Sequence, residues 1–185
     1  QERIWRSGKE LGNRLHEQGI EWWDVQLQEY QPMPKWKDFP DIWARIAEQF
    51  DKKADDFDLW LLTSRSMQYS WGSNVGIPVL ADVAKNIRGH SGVMMNASTG
   101  KKLGIQEGDW VWIESPIKRV KGHAILREGV RPDCAVTLQQ FGHWVTPVAK
   151  DLDMPNMNSL TPLHLAITDA TGSGADVVRV RVYKA

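Results

Sequence analysis

Residues 94–115 read MMNASTGKKLGIQEGDWVWIES, and this stretch is the most informative about the fold. Its first half predicts a short helix over 96–103, because Ser98 or Thr99 can cap the start and Gly104 suits a C-terminal cap. Its second half predicts a turn followed by a strand. Short segments of this kind, broken by Gly, Pro, Asn and Asp, recur from residue 57 onward and are typical of a small barrel or sandwich.

The predicted strands are apolar runs bounded by turn residues. They cover residues 57–62, 110–114, 122–127, 134–138 and 177–183. In the last of them Val178, Val180 and Val182 alternate with arginines, so one face should point inward and the other towards solvent.

The N-terminal part has a different pattern. Residues 1–29 carry apolar residues at helical spacing, and the three prolines of QPMPKWKDFP (31–40) predict an extended linker. Asp41 is expected to cap a second short helix, DIWARIAEQF. We therefore expect two parts, a helical and extended arm over 1–56 and a barrel over 57–185.

Composition excludes several classes of protein. The 185 residues are 42% hydrophobic and 25% charged, which indicates a globular chain rather than a disordered one. No apolar run reaches the roughly 18 residues that cross a bilayer, so we expect no direct membrane insertion. The single cysteine, Cys134, rules out an internal disulfide and four-cysteine metal clusters, and its apolar strand neighbours indicate a buried, inert thiol.

Charge and tryptophan content point to protein contacts. Lys and Arg (23) balance Asp and Glu (23), so there is no general attraction to nucleic acid. Residues 1–58 are acidic, with 13 acidic and 9 basic side chains, and the remainder is mildly basic. Ten tryptophans exceed what a core of this size needs, and Trp is enriched at interfaces. We expect the arm's tryptophans to pack on another protein surface: Trp5, Trp22, Trp23, Trp36 and Trp43.

The chain carries no standard catalytic motif, and its five histidines are too scattered to indicate a zinc site. No catalytic or metal-ligating residue is assigned. Three polar clusters follow predicted strands instead, at 63–66 (TSRS), 142–144 (GHW) and 171–174 (TGSG). Hydroxyls, backbone amides and a guanidinium suit an anion, so together the clusters favour a large phosphate-bearing ligand.

A family resemblance rests on LLTSRSMQYSWGSN (61–74), the stretch 94–115, REGVRPDCAV, FGHW and NMNSLTP. In order and spacing these segments resemble the C-terminal domain of the molybdopterin-dependent oxidoreductases of the dimethyl sulfoxide reductase family, over residues 57–185. The resemblance implies a mainly β fold, a six-stranded double-psi β-barrel with short peripheral helices. It also implies that this barrel holds molybdopterin guanine dinucleotide against larger catalytic domains.

The resemblance also implies cofactor-binding positions. Thr63, Ser64 and Arg65 match the strand-end loop that touches the pterin and its phosphates. Further matching positions on the cofactor side are Tyr69, Ser70, Trp71, Asn96, His143, Trp144 and Asn158. Arg65, Asn96 and Asn158 are accordingly expected to converge.

What lies outside the chain is implied as well. The bis-molybdopterin guanine dinucleotide, carrying Mo or W, would be shared with absent domains, and an iron–sulfur cluster would belong to an absent N-terminal part. The partners would be the other domains of the catalytic subunit and an iron–sulfur electron-transfer subunit. The fragment alone should then be inactive. The FGHW segment and the many tryptophans resemble the polysulfide, thiosulfate and phenylacetyl-CoA acceptor oxidoreductase branch.

Two other functions stay open. A double-psi barrel can serve as a protein-binding adaptor, which would not need Arg65, Asn96 and Asn158 to converge. A nucleic-acid binder could use tryptophan stacking and the basic hairpin at 118–121, although the zero net charge argues against it.

Overall fold

The computed structural model describes residues 2–28, 30, 36–87, 91–138, 155–162, 164, 166–167 and 177–185. The chain forms two compact units, Gln1–Arg45 with Leu163–Ala175 and Ile46–Pro162 with Asp176–Ala185. The N-terminal stretch of the first unit ends at Arg45, whereas the predicted arm extends to residue 56, and this unit also takes in a later segment. All the strands of the described residues belong to the second unit.

Six strands close into a barrel in the order β1-β5-β2-β4-β3-β6. They are β1 (Leu59–Ser64), β2 (Val93–Asn96), β3 (Trp110–Glu114), β4 (Arg119–Arg127), β5 (Cys134–Leu138) and β6 (Val177–Lys184). The pairs β1/β5 and β2/β4 are parallel, and the other four pairs are antiparallel. This confirms the predicted fold class, a mainly β double-psi barrel.

The barrel core follows from alternation along each strand. Leu61, Val93, Val111, Ala135 and Val178 all have no exposed surface. Burying a Val or Leu side chain contributes about 1.5–3 kcal/mol, so this inner layer supplies much of the driving force for closure. The prediction for β6 is confirmed, because its valines face inward and its arginines outward.

Five short helices accompany the barrel in the described residues. They are α1 (Glu2–Glu17), α2 (Asp24–Leu27), α3 (Phe39–Gln49), α4 (Pro78–Lys85) and α5 (Ala97–Lys102). Single 3₁₀ turns occupy Ala54–Asp56, Gly72–Gly76 and Met157–Leu160. No helix among the described residues has the length and apolarity needed to cross a bilayer.

Helix starts were the least accurate part of the prediction. The α3 helix begins at Phe39, and the backbone N–H of Asp41 donates to Asp38 Oδ1 at 3.2 Å, so Asp38 takes the capping role expected of Asp41. The α5 helix is capped by Asn96 rather than by Ser98 or Thr99. In both cases a polar residue upstream of the expected cap satisfies a free N–H.

The arm also departs from a single helix. Gly19 has a φ of 72° and separates α1 from α2. Half of the predicted linker (31–40), residues 31–35, lies outside the described residues, and its last two residues, Phe39 and Pro40, already belong to α3. Trp22 (71% exposed) and Trp36 (92% exposed) remain open to solvent, but Trp43 is only 2% exposed, so the expected packing on another protein is wrong for Trp43.

Candidate functional site

The parallel pair β1/β5 brings two polar strand ends to one edge of the barrel. Thr63 is directly opposite Thr137, and Ser64 is opposite Leu138. Strand β2 runs antiparallel to β5, and its first residue, Val93, is also opposite Thr137. The start of β2 therefore lies level with the end of β5. The ends of β1 and β5 and the start of β2 therefore meet at this edge, which we call the β1/β5 edge.

A cleft of about 560 Å³ opens at the β1/β5 edge. Among the described residues, its polar lining comes from the end of β1 and the segment after it: Ser64, Arg65, Ser66 and Gln68. Its apolar lining includes the strand residues Met94 and Leu138. The volume lies within the range of about 300–1,000 Å³ typical of small-molecule and cofactor sites. The cleft can therefore take a ligand with both polar and apolar groups.

Arg65 supplies the positive charge of the cleft. Its Nη1 donates to the carbonyl oxygen of Ser70 at 3.1 Å, which ties the two ends of the loop together. The side chain is exposed, and no carboxylate among the described residues pairs with it. A guanidinium fixed by one backbone contact keeps other N–H donors available for an anion.

Two buried hydroxyls at this edge, Ser66 Oγ and Thr137 Oγ1, have no hydrogen-bond partner among the residues that the structure describes. An unsatisfied buried hydroxyl costs about 1–3 kcal/mol. Ser66 lines the cleft, so a ligand with acceptor oxygens could satisfy its hydroxyl. An unneutralised cation, an unpartnered hydroxyl and an apolar floor together fit a phosphate-bearing ligand with planar rings.

Tyr69 anchors the loop rather than facing the cleft. It has no exposed surface and packs with Val75, Ala84 and Leu138. Burial raises the pKa of its phenol above the usual value. The ring therefore holds the segment after β1 against the barrel.

The following residues face outward. Ser70 is exposed, and its Oγ accepts from Asn74 Nδ2 at 3.5 Å. The Trp71 side chain is 72% exposed. An open indole beside the Arg65 loop leaves a flat apolar surface available for contact.

Asn96 lies at the opposite edge of the barrel from Arg65. Met95 is opposite Ala135, and Asn96 follows at the level of Cys134, which is paired with Trp60. Ser64 comes four residues after Trp60 on β1, so it lies about 13 Å along the strand from the level of Asn96, at roughly 3.3 Å per residue. The expected convergence of Arg65, Asn96 and Asn158 is therefore wrong for Asn96.

The side chain of Asn96 is fully used within the fold. Its Oδ1 accepts from the backbone N–H of Ser98 at 2.8 Å and from Ser98 Oγ at 2.6 Å. Its Nδ2 donates to the carbonyl oxygens of Val130 at 2.6 Å and Glu128 at 3.3 Å. Asn96 thus caps α5 and fastens the turn between β4 and β5, and it is 6% exposed.

Asn158 belongs to a segment that starts near the β1/β5 edge. A Cβ on Gly122 would come within 3.2 Å of Pro155 Cδ and 3.1 Å of Val93 Cγ2, so Pro155 lies beside the first residue of β2. Asn158 follows in the next 3₁₀ turn with an exposed side chain, and its N–H donates to Asn156 Oδ1 at 3.0 Å. The start of this segment and the Arg65 loop therefore share one edge.

The remaining expected positions are not described. His143, Trp144 and the 171–174 cluster lie outside the described residues. Within the described ranges, no group of three or more His, Cys, Asp and Glu side chains could hold a metal ion.

Sequence reasoning placed Ser66 in the TSRS cluster proposed for an anion, but it did not single out Thr137. Thr137 sits inside an apolar run, where a threonine looks like an ordinary β-branched strand residue.

Cys134 is buried, as its strand neighbours predicted. Burial, followed by the negative charge of Asp133, raises the pKa of the thiol. A thiol that resists deprotonation is a poor nucleophile, which agrees with the expected inert role.

Comparison with known proteins identifies the family. The family model of the molydopterin dinucleotide binding domain matches residues 59–175, more than half of the chain. The chain is 35% identical over 101 residues to the arsenate respiratory reductase molybdopterin-containing subunit of Chrysiogenes arsenatis, covering 50% of this chain and 12% of that protein. It is 25% identical over 85 residues to the thiosulfate reductase molybdopterin-containing subunit of Salmonella typhimurium, covering 46% and 11%.

A solved structure agrees in fold. Acetylene hydratase from Pelobacter acetylenicus matches with a TM-score of 0.56 and 15% identity, over 94% of this chain and 29% of that one. The segments matched in the two curated reductase subunits make up about a tenth of those proteins. The chain thus belongs to the molybdopterin dinucleotide-binding domain family of molybdenum enzymes, which confirms the resemblance to the dimethyl sulfoxide reductase family.

Proposed function

We propose that this chain binds molybdopterin guanine dinucleotide at the β1/β5 edge, as one domain of a larger molybdenum or tungsten oxidoreductase subunit. The observation that carries the proposal is the cleft in which the unneutralised Arg65 and the unpartnered Ser66 hydroxyl lie together. Family membership supports the cofactor class. The guanine form is taken from the resemblance alone.

Each group at this edge has a chemical role in the proposal. Arg65 would pair with the phosphates, because a guanidinium donates two parallel hydrogen bonds to phosphate oxygens. Hydroxyls of Thr63, Ser64 and Ser66 would bond to further oxygens, and the exposed indole of Trp71 would contact a planar ring. Tyr69 would act indirectly by fixing the loop. Ser70, His143, Trp144 and Asn158 complete the proposed set.

The redox chemistry would come from the metal of the bound cofactor, while this chain orients the group through the contacts above. The metal ligand and any iron–sulfur cluster would come from polypeptide outside these residues. We therefore propose that the 185-residue chain alone shows no redox turnover with a reduced viologen dye and candidate acceptors. Measurable turnover above a heat-denatured sample would contradict this.

The proposal extends to partners and branch. The other domains of the same subunit and an iron–sulfur electron-transfer subunit would complete the enzyme. The similarity to a thiosulfate reductase subunit supports the polysulfide, thiosulfate and phenylacetyl-CoA acceptor branch, although an arsenate reductase subunit is also similar.

The test is the change Arg65→Ala in the complete subunit that carries this chain. We expect severalfold less metal and pterin per purified subunit, because the phosphates lose their charged partner, and an intermediate loss for Arg65→Lys, which keeps only a point charge. The readouts are metal by mass spectrometry and pterin by fluorescence after oxidation.

Arg131→Ala is the matched control. Arg131 is also an exposed arginine, but it lies just before β5, at the opposite edge, and pairs with Asp133. Its metal and pterin content should match the wild type. Full cofactor content in Arg65→Ala would remove Arg65 from the site, and with it the main support for the proposal.

A further inference from the structure

The outer surface over β4, β3, β6 and β1 combines tryptophans with cations. Successive residues of a strand point to opposite sides of the sheet. The valines of β6 face inward, so the residues between them face outward, together with the residues opposite these on the neighbouring strands. We call this surface the basic face and define it by six residues: Trp60, Trp112, Arg119, Lys121, Arg179 and Arg181. Arg119 and Lys121 are exposed, and the other four are partly exposed.

Stacking holds these cations in place. The guanidinium carbon of Arg119 is 4.3 Å from the ring centroid of Trp112, and that of Arg179 is 4.4 Å from the centroid of Trp60. Lys121 Nζ lies 4.9 Å from the centroid of Trp110 and 5.7 Å from that of Trp112. Cations already ordered on aromatic rings lose less side-chain freedom when a partner binds.

The carboxylate of Glu114 lies on this face and is already engaged. One of its oxygens, Oε2, accepts from Arg181 Nε at 3.1 Å, from Arg181 Nη2 at 3.0 Å and from the Tyr183 hydroxyl at 2.8 Å. Arg119 lies across from Glu114 in the strand register but forms no ion pair with it. Glu114 therefore pairs with Arg181 and is linked to Arg119 through the Tyr183 hydroxyl.

Three cations lack a carboxylate partner within the described residues. Arg119 donates only to the Tyr183 hydroxyl, at 3.4 Å, and Arg179 donates to the carbonyl oxygen of Asp58, also at 3.4 Å. Lys121 lies over the indoles of Trp110 and Trp112 and forms no ion pair in the described part of the chain. These charges are spread over β4 and β6, which are separated by β3 and hence by about 10 Å.

We propose that the basic face docks an acidic segment of another polypeptide, whose carboxylates pair with Arg119, Lys121 and Arg179. Trp and Arg are enriched at the energetic centres of interfaces, and ordered cations that form no ion pair among the described residues are complementary to an acidic partner. A purely apolar partner does not fit, because it would bury these unpaired cations. The face uses none of the residues proposed for cofactor binding.

A nucleic acid fits this face less well than an acidic protein segment. Stacked bases need open aromatic platforms, whereas Trp60, Trp110 and Trp112 already carry a cation over one ring face. The chain as a whole also has no net charge to attract a phosphate backbone.

The test titrates a fluorescein-labelled poly-glutamate peptide with the full 185-residue chain and follows fluorescence anisotropy. We expect binding that weakens as salt rises, and affinity lower by about tenfold or more in the double variant Arg119→Glu/Lys121→Glu. The matched control is Lys101→Glu/Lys102→Glu, which reverses two exposed lysines on α5 and should lower affinity much less. Circular dichroism checks that each variant is folded, and Arg119→Gln/Lys121→Gln serves if the reversal unfolds the chain.

Three results would overturn the proposal. One is no binding of the peptide at low salt. Another is equal weakening by the two charge-reversal pairs, which would show attraction to charge anywhere on the chain. The third is tighter binding of a single-stranded oligothymidine than of the peptide, which would assign the face to nucleic acid instead.

Discussion

The change Asn96→Ala should destabilise the barrel strongly, because one side chain serves two elements. Loss of the cap on α5 costs about 1 kcal/mol. Loss of the two donations to the carbonyl oxygens of Val130 and Glu128 costs about 0.5–1.5 kcal/mol each. The sum is about 2–4 kcal/mol, a large share of the roughly 5–15 kcal/mol by which domains are stable.

The assay is thermal and urea unfolding of the chain, followed by circular dichroism. At roughly 2–4 °C per kcal/mol for a domain of this size, Asn96→Ala should lower Tm by about 4–16 °C. Asn96→Asp keeps the oxygen that accepts from Ser98 but loses both donations and turns a negative charge towards two carbonyls. It should therefore not restore stability.

Asn86→Ala is the matched control. Asn86 is exposed and donates one hydrogen bond, from Nδ2 to the carbonyl oxygen of Asp82 at 2.8 Å, so we expect a loss of about 1 kcal/mol or less. If Asn96→Ala unfolds within a degree of the wild type, the double role assigned to Asn96 is refuted. In the complete subunit, folded Asn96→Ala should keep its cofactor, because Asn96 lies at the edge opposite Arg65.

Two further predictions concern the backbone and acid stability. Gly92→Ala should cost about 2 kcal/mol or more in urea unfolding, because Gly92 has φ 102° and a Cβ there would clash with the His123 carbonyl oxygen. Gly104→Ala is the control, since Gly104 has φ 69° but open space around it, and it should cost about 1 kcal/mol. Equal losses in the two variants would disprove the clash. Burial raises the pKa of Glu114, but bonds from Tyr183 and Arg181 outweigh it and hold the pKa below its usual value. The resulting stability is present above the unfolded pKa of about 4.3 and is lost as pH falls through the folded pKa. In Glu114→Gln the urea midpoint should therefore fall less steeply with decreasing pH than in the wild type. Parallel curves of midpoint against pH would refute this.

Local pattern explains which strands could be predicted. Residues 110–114 and 134–138 are bounded by turn residues and match β3 and β5 at both ends. Strand β2 gives no comparable signal, because VMMN is four residues long and apolar on both faces. Helix α4 was also missed, since the Pro at its start reads as a break in the pattern although it suits a first helical turn.

The site shows a different limit of sequence reasoning. Polar residues after an apolar run correctly indicate a strand end, as for Arg65. Whether two strand ends share an edge depends on the direction of pairing between distant strands, which no local pattern contains. Because β2 runs antiparallel to β5, Asn96 ends its strand far from the residues that follow β1.

The position of β6 in the barrel has a consequence for how the protein is made. Strand β6 forms backbone hydrogen bonds with both β1 and β3, so its addition closes the barrel. During synthesis, β1 cannot pair with β6 until residues 177–184 have emerged from the ribosome. Until then β1 and β3 each present an unpaired side, and nascent chains crowded on one messenger are most prone to join at these sides.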